Sequence, residues 1–309
     1  MDNEQLTTLK DIEKTIGRSI RRDISRMVAF AEGNLADAAR SILSHAKPHV
    51  AIVTGFYIEY ADPPSPETDG LGGAAHIAAA LASAGIEVTI ITDAPCAKAV
   101  WAVVDAIPEK VNLEVVAVSE QAVRGLRDRL ASGNTPLTHL IAIERVSPGS
   151  DGKPHREHGW DMSRQTAPLH LLFEELGWQR SWETIGIGDG GNEIGMGNLP
   201  KDIVTADIPN GSLIAASTRT DHLIVAGVST WGGYGLVAGL AALDAARREQ
   251  LCRHFTREFD HNILRAATEV GQAIDDSRLD KKGQVSMSVD RLEWEEHALI
   301  IDALRMIVT

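Results

Sequence analysis

The stretch Gly186-Ile187-Gly188-Asp189-Gly190-Gly191-Asn192-Glu193-Ile194-Gly195-Met196-Gly197-Asn198 holds the densest set of groups that could do chemistry. Formally it contains G-x-G-x-x-G, the dinucleotide fingerprint. Asp189, however, would set a like charge against a pyrophosphate, and Gly195, Gly197 and Pro200 follow where that motif needs a helix at once. It does not fit GxxxxGK[ST] either. Its six glycines, Gly190 and Gly191 among them, permit close backbone approach, while Asp189, Asn192 and Glu193 add side-chain oxygens. That set suits a hard divalent cation, a substrate ammonium or general acid–base work, and suits a bare phosphate poorly.

Three other loops carry reactive or ligand-holding residues. Thr54-Gly55-Phe56-Tyr57 leads into a long loop ending Pro66-Glu67-Thr68-Asp69-Gly70-Leu71-Gly72-Gly73. Glu67 and Asp69 are candidates to grip an ammonium, and the Gly72-Gly73 amides at a helix start could receive an anion. Equally, Thr68 or Asp69 could simply cap that helix. Glu144-Arg145 is either a substrate-holding charge pair or a structural ion pair, with Asp161 further along the same loop. Ser229-Thr230-Trp231-Gly232-Gly233 forms a second glycine-rich turn, either an anion pocket or a place of close helix packing. The His155-Arg156-Glu157-His158 stretch lacks HExxH spacing and reads as a solvated histidine pair. Cys96 reads as a packed thiol without a partner, and the absence of GxSxG leaves a hydrolase triad unsupported.

These loops need a scaffold, and the hydrophobic pattern supplies one. Short apolar runs at His49–Thr54, Ile86–Thr92, Leu113–Val118, His139–Ile143, Thr184–Ile187 and His222–Val228 read as strands. Helical segments separate them, at about 72–84, 96–107, 120–130 and 169–176, with others at 236–248, 255–274 and 291–307. Continuous rather than alternating strands, spaced by helices, predict a three-layer α/β fold with a mostly parallel sheet and helices on both faces. Residues 1–45 read as a helical N-terminal extension and 46–309 as a single α/β domain. Helices are expected over 3–16, along the stripe Ile20, Ile24, Met27 and Val28, and over Leu35–Leu43 after Asn34. The cluster Arg18, Arg21, Arg22 and Arg26 reads as a solvated helix face. In such a sheet ligands gather at the carboxyl ends of strands, where all four loops begin.

Composition bounds the partners. With 30 basic and 43 acidic residues the formal charge is −13, which argues against nucleic acid and anionic membrane as partners. Two cysteines make no disulfide framework. An acidic start without an apolar core, and no run of about 18 apolar residues, predict neither a signal peptide nor a membrane span. The expectation is a cytoplasmic protein acting on a small molecule, with homo-oligomerisation open.

Taken together, TGFY, PETDG-LGGA, the strand-end ITD, IER and above all GIGDGGNEIGMG resemble the D-glutamate cyclase family, in its C-terminal domain, standing alone here. The likeness runs over nearly the whole chain. It departs at Asp69-Gly70-Leu71-Gly72-Gly73-Ala74, where a DGPLGA-like order is the pattern, and at 153–158. The resemblance implies a carbon–oxygen lyase that cyclises D-glutamate, an acidic amino acid, to 5-oxo-D-proline with loss of water. For that chemistry we assign proton transfer or metal coordination to Asp189 and Glu193, and substrate orientation to Asn192. Glu67 and Asp69 are second candidates for the ammonium. The remaining candidates to contact substrate are Thr54, Gly72, Gly73, Glu144, Arg145, Asp161, Gly190, Gly191, Ser229, Trp231, Gly232 and Gly233. A divalent cation, Mg²⁺ or Mn²⁺, is compatible with this loop, and neither nicotinamide nor flavin is expected. The competing functions are a phosphate- or nucleotide-dependent transferase and a non-catalytic amino-acid binder.

Overall fold

A computed structural model describes residues 2–20, 22–132, 136–174, 180–278 and 286–308. The expected position Arg21 and the end of the helix expected to residue 176 lie outside these described residues. Six parallel strands form the central sheet: β1 (His49–Thr54), β2 (Glu87–Asp93), β3 (Asn112–Val116), β4 (His139–Ile143), β5 (Glu183–Gly188) and β6 (His222–Val225). Their order is β3-β2-β1-β4-β5-β6 and every pairing is parallel. β1 and β4 are therefore neighbours although the chain leaves β1 toward one edge and returns to fill the other. Between them lies the switch point at which doubly wound sheets open a crevice.

Period-2 alternation sends Val50, Ile52, Ile90, Ile141 and Ile187 to one face, and Ala51, Val53, Ile91, Leu140 and Ala142 to the other. Both faces are buried, which is why the strands read as continuous apolar runs. The first face is covered by α1 (Asn3–Ile16), α3 (Asn34–Ser44), α4 (Leu71–Ser83) and α5 (Ala97–Asp105), with α8 (Ser229–Leu243) and α10 (Leu299–Val308). On the second, α6 (Glu120–Ser132) packs on β3 and shares a core with residues of β1, β2 and β4, while α2 (Ser25–Ala31) and α7 (Lys201–Asp207) form a smaller core with β6. α9 (Arg257–Arg265) packs on α4. The N-terminal helices share the main core: Leu9, Ile12, Ile16, Leu35 and Ile42 are all buried in it.

Several helices differ from expectation: the segment expected over 291–307 opens with a hairpin strand, Leu292–Glu293, before Trp294–His297 and α10, and the one expected over 255–274 is α-helical only as α9 before a π-helical turn, Ala266–Val270. α8 starts at Ser229, so the glycine-rich stretch is the first half of the helix rather than a turn before it. α8 is buried along nearly its whole length, and α1, α3, α4 and α10 pack around it. A Cβ on Gly233 would stand 2.6 Å from the Cα of Gly73 on α4, so two glycines let the two helix backbones meet. Tertiary packing here overrides the low helix propensity of glycine, about 1 kcal/mol per residue. The segment expected as helix over 169–176 contains a single 3₁₀ turn, Leu169–Leu172, among the described residues. No helix of the described residues is long and apolar enough to cross a membrane.

Candidate active site

The carboxyl ends of β1, β4 and β5 open onto a cavity of about 410 Å³, its solvent-filled mouth included. Its lining is dominated by acids: Glu67 and Asp69 after β1, Glu144 after β4, and Asp189 and Glu193 after β5, joined by Glu157, Asp276 and Asp290. Asn192, Gly190 and Phe56 complete the wall with two cations, Arg22 and Arg156.

Each central carboxylate is held by the elements around it. Glu193 Oε1 accepts from the amides of Gly190 (2.6 Å) and Asp189 (3.2 Å), folding the loop onto its own side chain. Gly191 at φ +89° makes that reversal in the left-handed region, where glycine alone is unstrained. Glu193 Oε2 is buried without a hydrogen-bond partner. Burial, with the Asp189 charge beside it, pushes the Glu193 pKa up to about 7. Asp69 accepts the α8 amides of Ser229 (3.1 Å) and Thr230 (2.9 Å), as well as the amide of Gly70. Burial and Asp189 still raise its pKa to about 6. Glu144 follows β4 with φ 44°, a left-handed backbone that is strained for a non-glycine residue. It accepts from the Ser229 hydroxyl. Burial first, then Glu193, Asp69 and Asp189, push its carboxyl well above the usual range. One oxygen from each of Asp69, Glu144 and Asp189 lies within 4.8 Å of the others. Asn192 donates from Nδ2 to the carbonyl of His155 (2.9 Å), tying the 155–161 loop to the pocket wall.

Of the expected residues, Glu67, Asp69, Glu144, Asp189, Gly190, Asn192 and Glu193 converge on this cavity. Arg145 does not. Its side chain points away from that of Glu144, as neighbours at a strand end do, and is 1% exposed. It bonds the carbonyls of Gly55 (2.8 Å) and Ala167 (2.7 Å) and the Asp93 carboxylate, and so pins loops together. The expected anion pocket at Gly232-Gly233 is corrected likewise: Asp69 fills the amino end of α8, and the two glycines sit inside the helix against Ile187 and Gly73. Gly72 faces a separate small internal cavity beside Thr230, Tyr234 and Asp260, and Gly73 is packed on Thr230. Trp231 is buried with its indole N–H on His297 (3.2 Å), and Ser229 acts through Glu144. Thr54 ends β1 with a buried, unpartnered hydroxyl, and Gly191 packs against Val204. Asp161 is exposed and paired with Lys153 (2.8 Å); it lines an adjoining aromatic cleft with Tyr60 and Trp160. His155 is buried on Asp151, while His158 is exposed, so the expected histidine pair is divided. Cys96 is buried as expected.

Six lining residues lie outside the candidates read from the sequence: Arg22, Phe56, Arg156, Glu157, Asp276 and Asp290. Arg22 was expected on a solvated face, yet it enters the pocket 3.9 Å from Asp189 and 3.7 Å from Glu157. Its neighbour Arg18 covers the Trp231 ring. Arg156 bonds Asp276 and stacks over Tyr60, 4.2 Å from the ring centre. Asp290 sits at a two-residue hairpin turn, Asp290-Arg291, with φ of 51° and 73°. Polar types at such a turn are a signal for a type I′ loop, but nothing in the spacing assigns Asp276 or Asp290 to a distant pocket.

The family model described as "D-glutamate cyclase-like, C-terminal" matches residues 12–305. The protein "D-glutamate cyclase, mitochondrial" of Homo sapiens is 34% identical over 245 residues, covering 72% of this chain and 39% of that protein. The match thus covers well under half the length of that relative. On the match across residues 12–305, the chain belongs to the D-glutamate cyclase-like, C-terminal family.

Proposed function

We propose that this chain cyclises D-glutamate to 5-oxo-D-proline with loss of water. One observation carries the proposal: the buried carboxylates Asp69, Glu144, Asp189 and Glu193 converge in one pocket, with Glu193 near pKa 7, in a member of this family. In the reaction the substrate nitrogen forms a bond to the γ-carboxyl carbon while a C–O bond breaks. The two protons lost by the ammonium are the two that leave with the oxygen as water, so the protein needs only to carry them. Glu193 Oε2 is buried, unpartnered and near-neutral in pKa, which fits a group that takes a proton from nitrogen and returns it to the departing oxygen. Holding both ends of the substrate in near-attack geometry supplies the remaining advantage, with effective molarities of roughly 10⁵ M or more.

Arg22 and Arg156 are the guanidinium groups in the lining, and they take the place of Arg145 as the partners for the α-carboxylate. The all-oxygen trio Asp69, Glu144 and Asp189 fits a hard divalent cation such as Mg²⁺ or Mn²⁺. Glu193 lies outside that trio. Such an ion, when bound, would polarise the γ-carboxyl and offset the crowding of negative charge. The deciding experiment incubates the protein with D- and L-glutamate, with and without EDTA, and assays 5-oxoproline by chiral chromatography. Product from D-glutamate that EDTA suppresses and Mn²⁺ restores is the expected result. No product from either enantiomer with metal present would refute the proposal.

A further inference from the structure

At the opposite edge of the sheet a second cluster of ligating groups forms. His139, Glu183 and His222 are the first residues of the adjacent strands β4, β5 and β6, and His45 follows the end of α3. One ligating atom from each of His45, His139 and Glu183 lies within 4.8 Å of the others. The His45 and His139 rings meet edge to face at 5.0 Å.

The hydrogen bonds around His139 determine which nitrogen is free. The Thr138 hydroxyl donates to the carbonyl of His49 (2.9 Å) and also accepts the His49 amide (3.0 Å). Its proton is therefore spent, and at 2.8 Å from Thr138 Oγ1 the His139 Nδ1 must be the donor. Nε2 then carries the lone pair. Nε2 faces Ser41 Oγ at 2.8 Å, while the Ser41 hydroxyl donates to Glu183 Oε2. Lone pairs of an imidazole, a hydroxyl and a carboxylate thus converge with one hydroxyl proton among them. A ring whose other nitrogen donates to a fixed oxygen is the arrangement that orients metal-bound histidines. His222 Nε2, 3.4 Å from Glu183 Oε2, orients the carboxylate from its other side.

We propose that His45, His139 and Glu183 form a site for a borderline divalent transition-metal ion, tested here as Zn²⁺, that ties the end of α3 to the starts of β4 and β5. Two imidazoles and a carboxylate are a donor set zinc accepts, with ligand distances of about 2.0–2.2 Å, and one that Mg²⁺ does not favour. The site is remote from the acidic pocket, so it does not depend on the cyclase proposal.

Calorimetric titration with Zn²⁺ in excess Mg²⁺ should find one tight site per chain, and Zn²⁺ should raise the melting temperature. Co²⁺ in its place should give the intense visible bands of a four-coordinate ion bearing imidazole. These bands should persist in the Glu144→Gln/Asp189→Asn double variant, which removes the acidic trio. His45→Ala, at an exposed position, should keep the metal-free melting temperature and lose the Co²⁺ bands. Thr138→Val, which frees the tautomer, should weaken Zn²⁺ binding by roughly 10–100-fold. Absence of the bands in the unaltered protein would overturn the proposal, as would Zn²⁺ affinity unchanged by His45→Ala.

Discussion

The two glycine-rich segments, one after β5 and one after β6, look alike in sequence and do opposite work. After β5 the chain turns sharply, and Asp189, Asn192 and Glu193 reach the pocket. After β6 the glycines lie inside α8, where Gly233 meets Gly73 backbone to backbone. What separates the segments is their company. Glycines beside carboxylates made a loop around functional groups, whereas glycines spaced among Trp231, Tyr234, Leu236 and Val237 made a helix surface for close packing. The second segment still serves the first indirectly, since Ser229 and Thr230 hold Asp69 and Glu144 in place.

That division of labour can be broken most sharply at Glu193. Glu193→Gln is expected to lower kcat/KM for D-glutamate cyclisation by roughly 10²–10⁴, the range for losing a positioned acid–base group, without loss of folded protein. Steady-state kinetics beside a melting curve decides it; near-normal turnover would remove Glu193 from the mechanism. In α8 the reverse holds. Gly233→Ala should cost about 1–3 kcal/mol of stability through overpacking, read from urea unfolding, while turnover per folded molecule stays close to normal.

A smaller effect concerns pH. The folded-state pKa values of Asp69 and Glu193, about 6 and about 7, stand above their ordinary 3.8 and 4.5. Between those limits the folded protein binds more protons than the unfolded chain, so these groups favour folding at low pH. Their contribution is full below the ordinary values and is lost as pH rises through about 6 and about 7. Glu193→Gln should therefore flatten the upper part of the urea-midpoint profile, and Gly233→Ala should shift that profile without changing its shape. Least of all, Ser229→Ala removes one hydrogen bond to Glu144 and should cost about 0.5–1.5 kcal/mol of transition-state stabilisation, seen as a several-fold fall in kcat/KM.

Much of this was legible in the sequence. All six strands stood out because a sheet buried on both faces leaves unbroken apolar runs, and the carboxylates in the loops after β1, β4 and β5 followed from strand ends being where ligands gather. Arg145 was misplaced because a residue's side of a strand end depends on register, which one sequence does not reveal. Arg22 was misplaced because a run of arginines reads as surface until the segment carrying it is known to cross the sheet edge, where the Gly227 amide bonds the Ile16 carbonyl at 2.8 Å. Asp276 and Asp290 arrive through long-range packing, and no local pattern announces them.

The strand order has a consequence for how the pocket comes into being. The acids that line it run from Glu67 to Asp290, and the strands that present them, β1, β4 and β5, become neighbours only after the chain has doubled back past β3. No contiguous fragment holds them all together, so their mutual repulsion opposes the packing of distant segments and not any local structure. The pocket is therefore expected to be a lower-stability unit within a well-packed scaffold. In native-state hydrogen exchange, amides at 189–193 should open at lower free energy than those of β1, and equal protection of both would contradict this expectation.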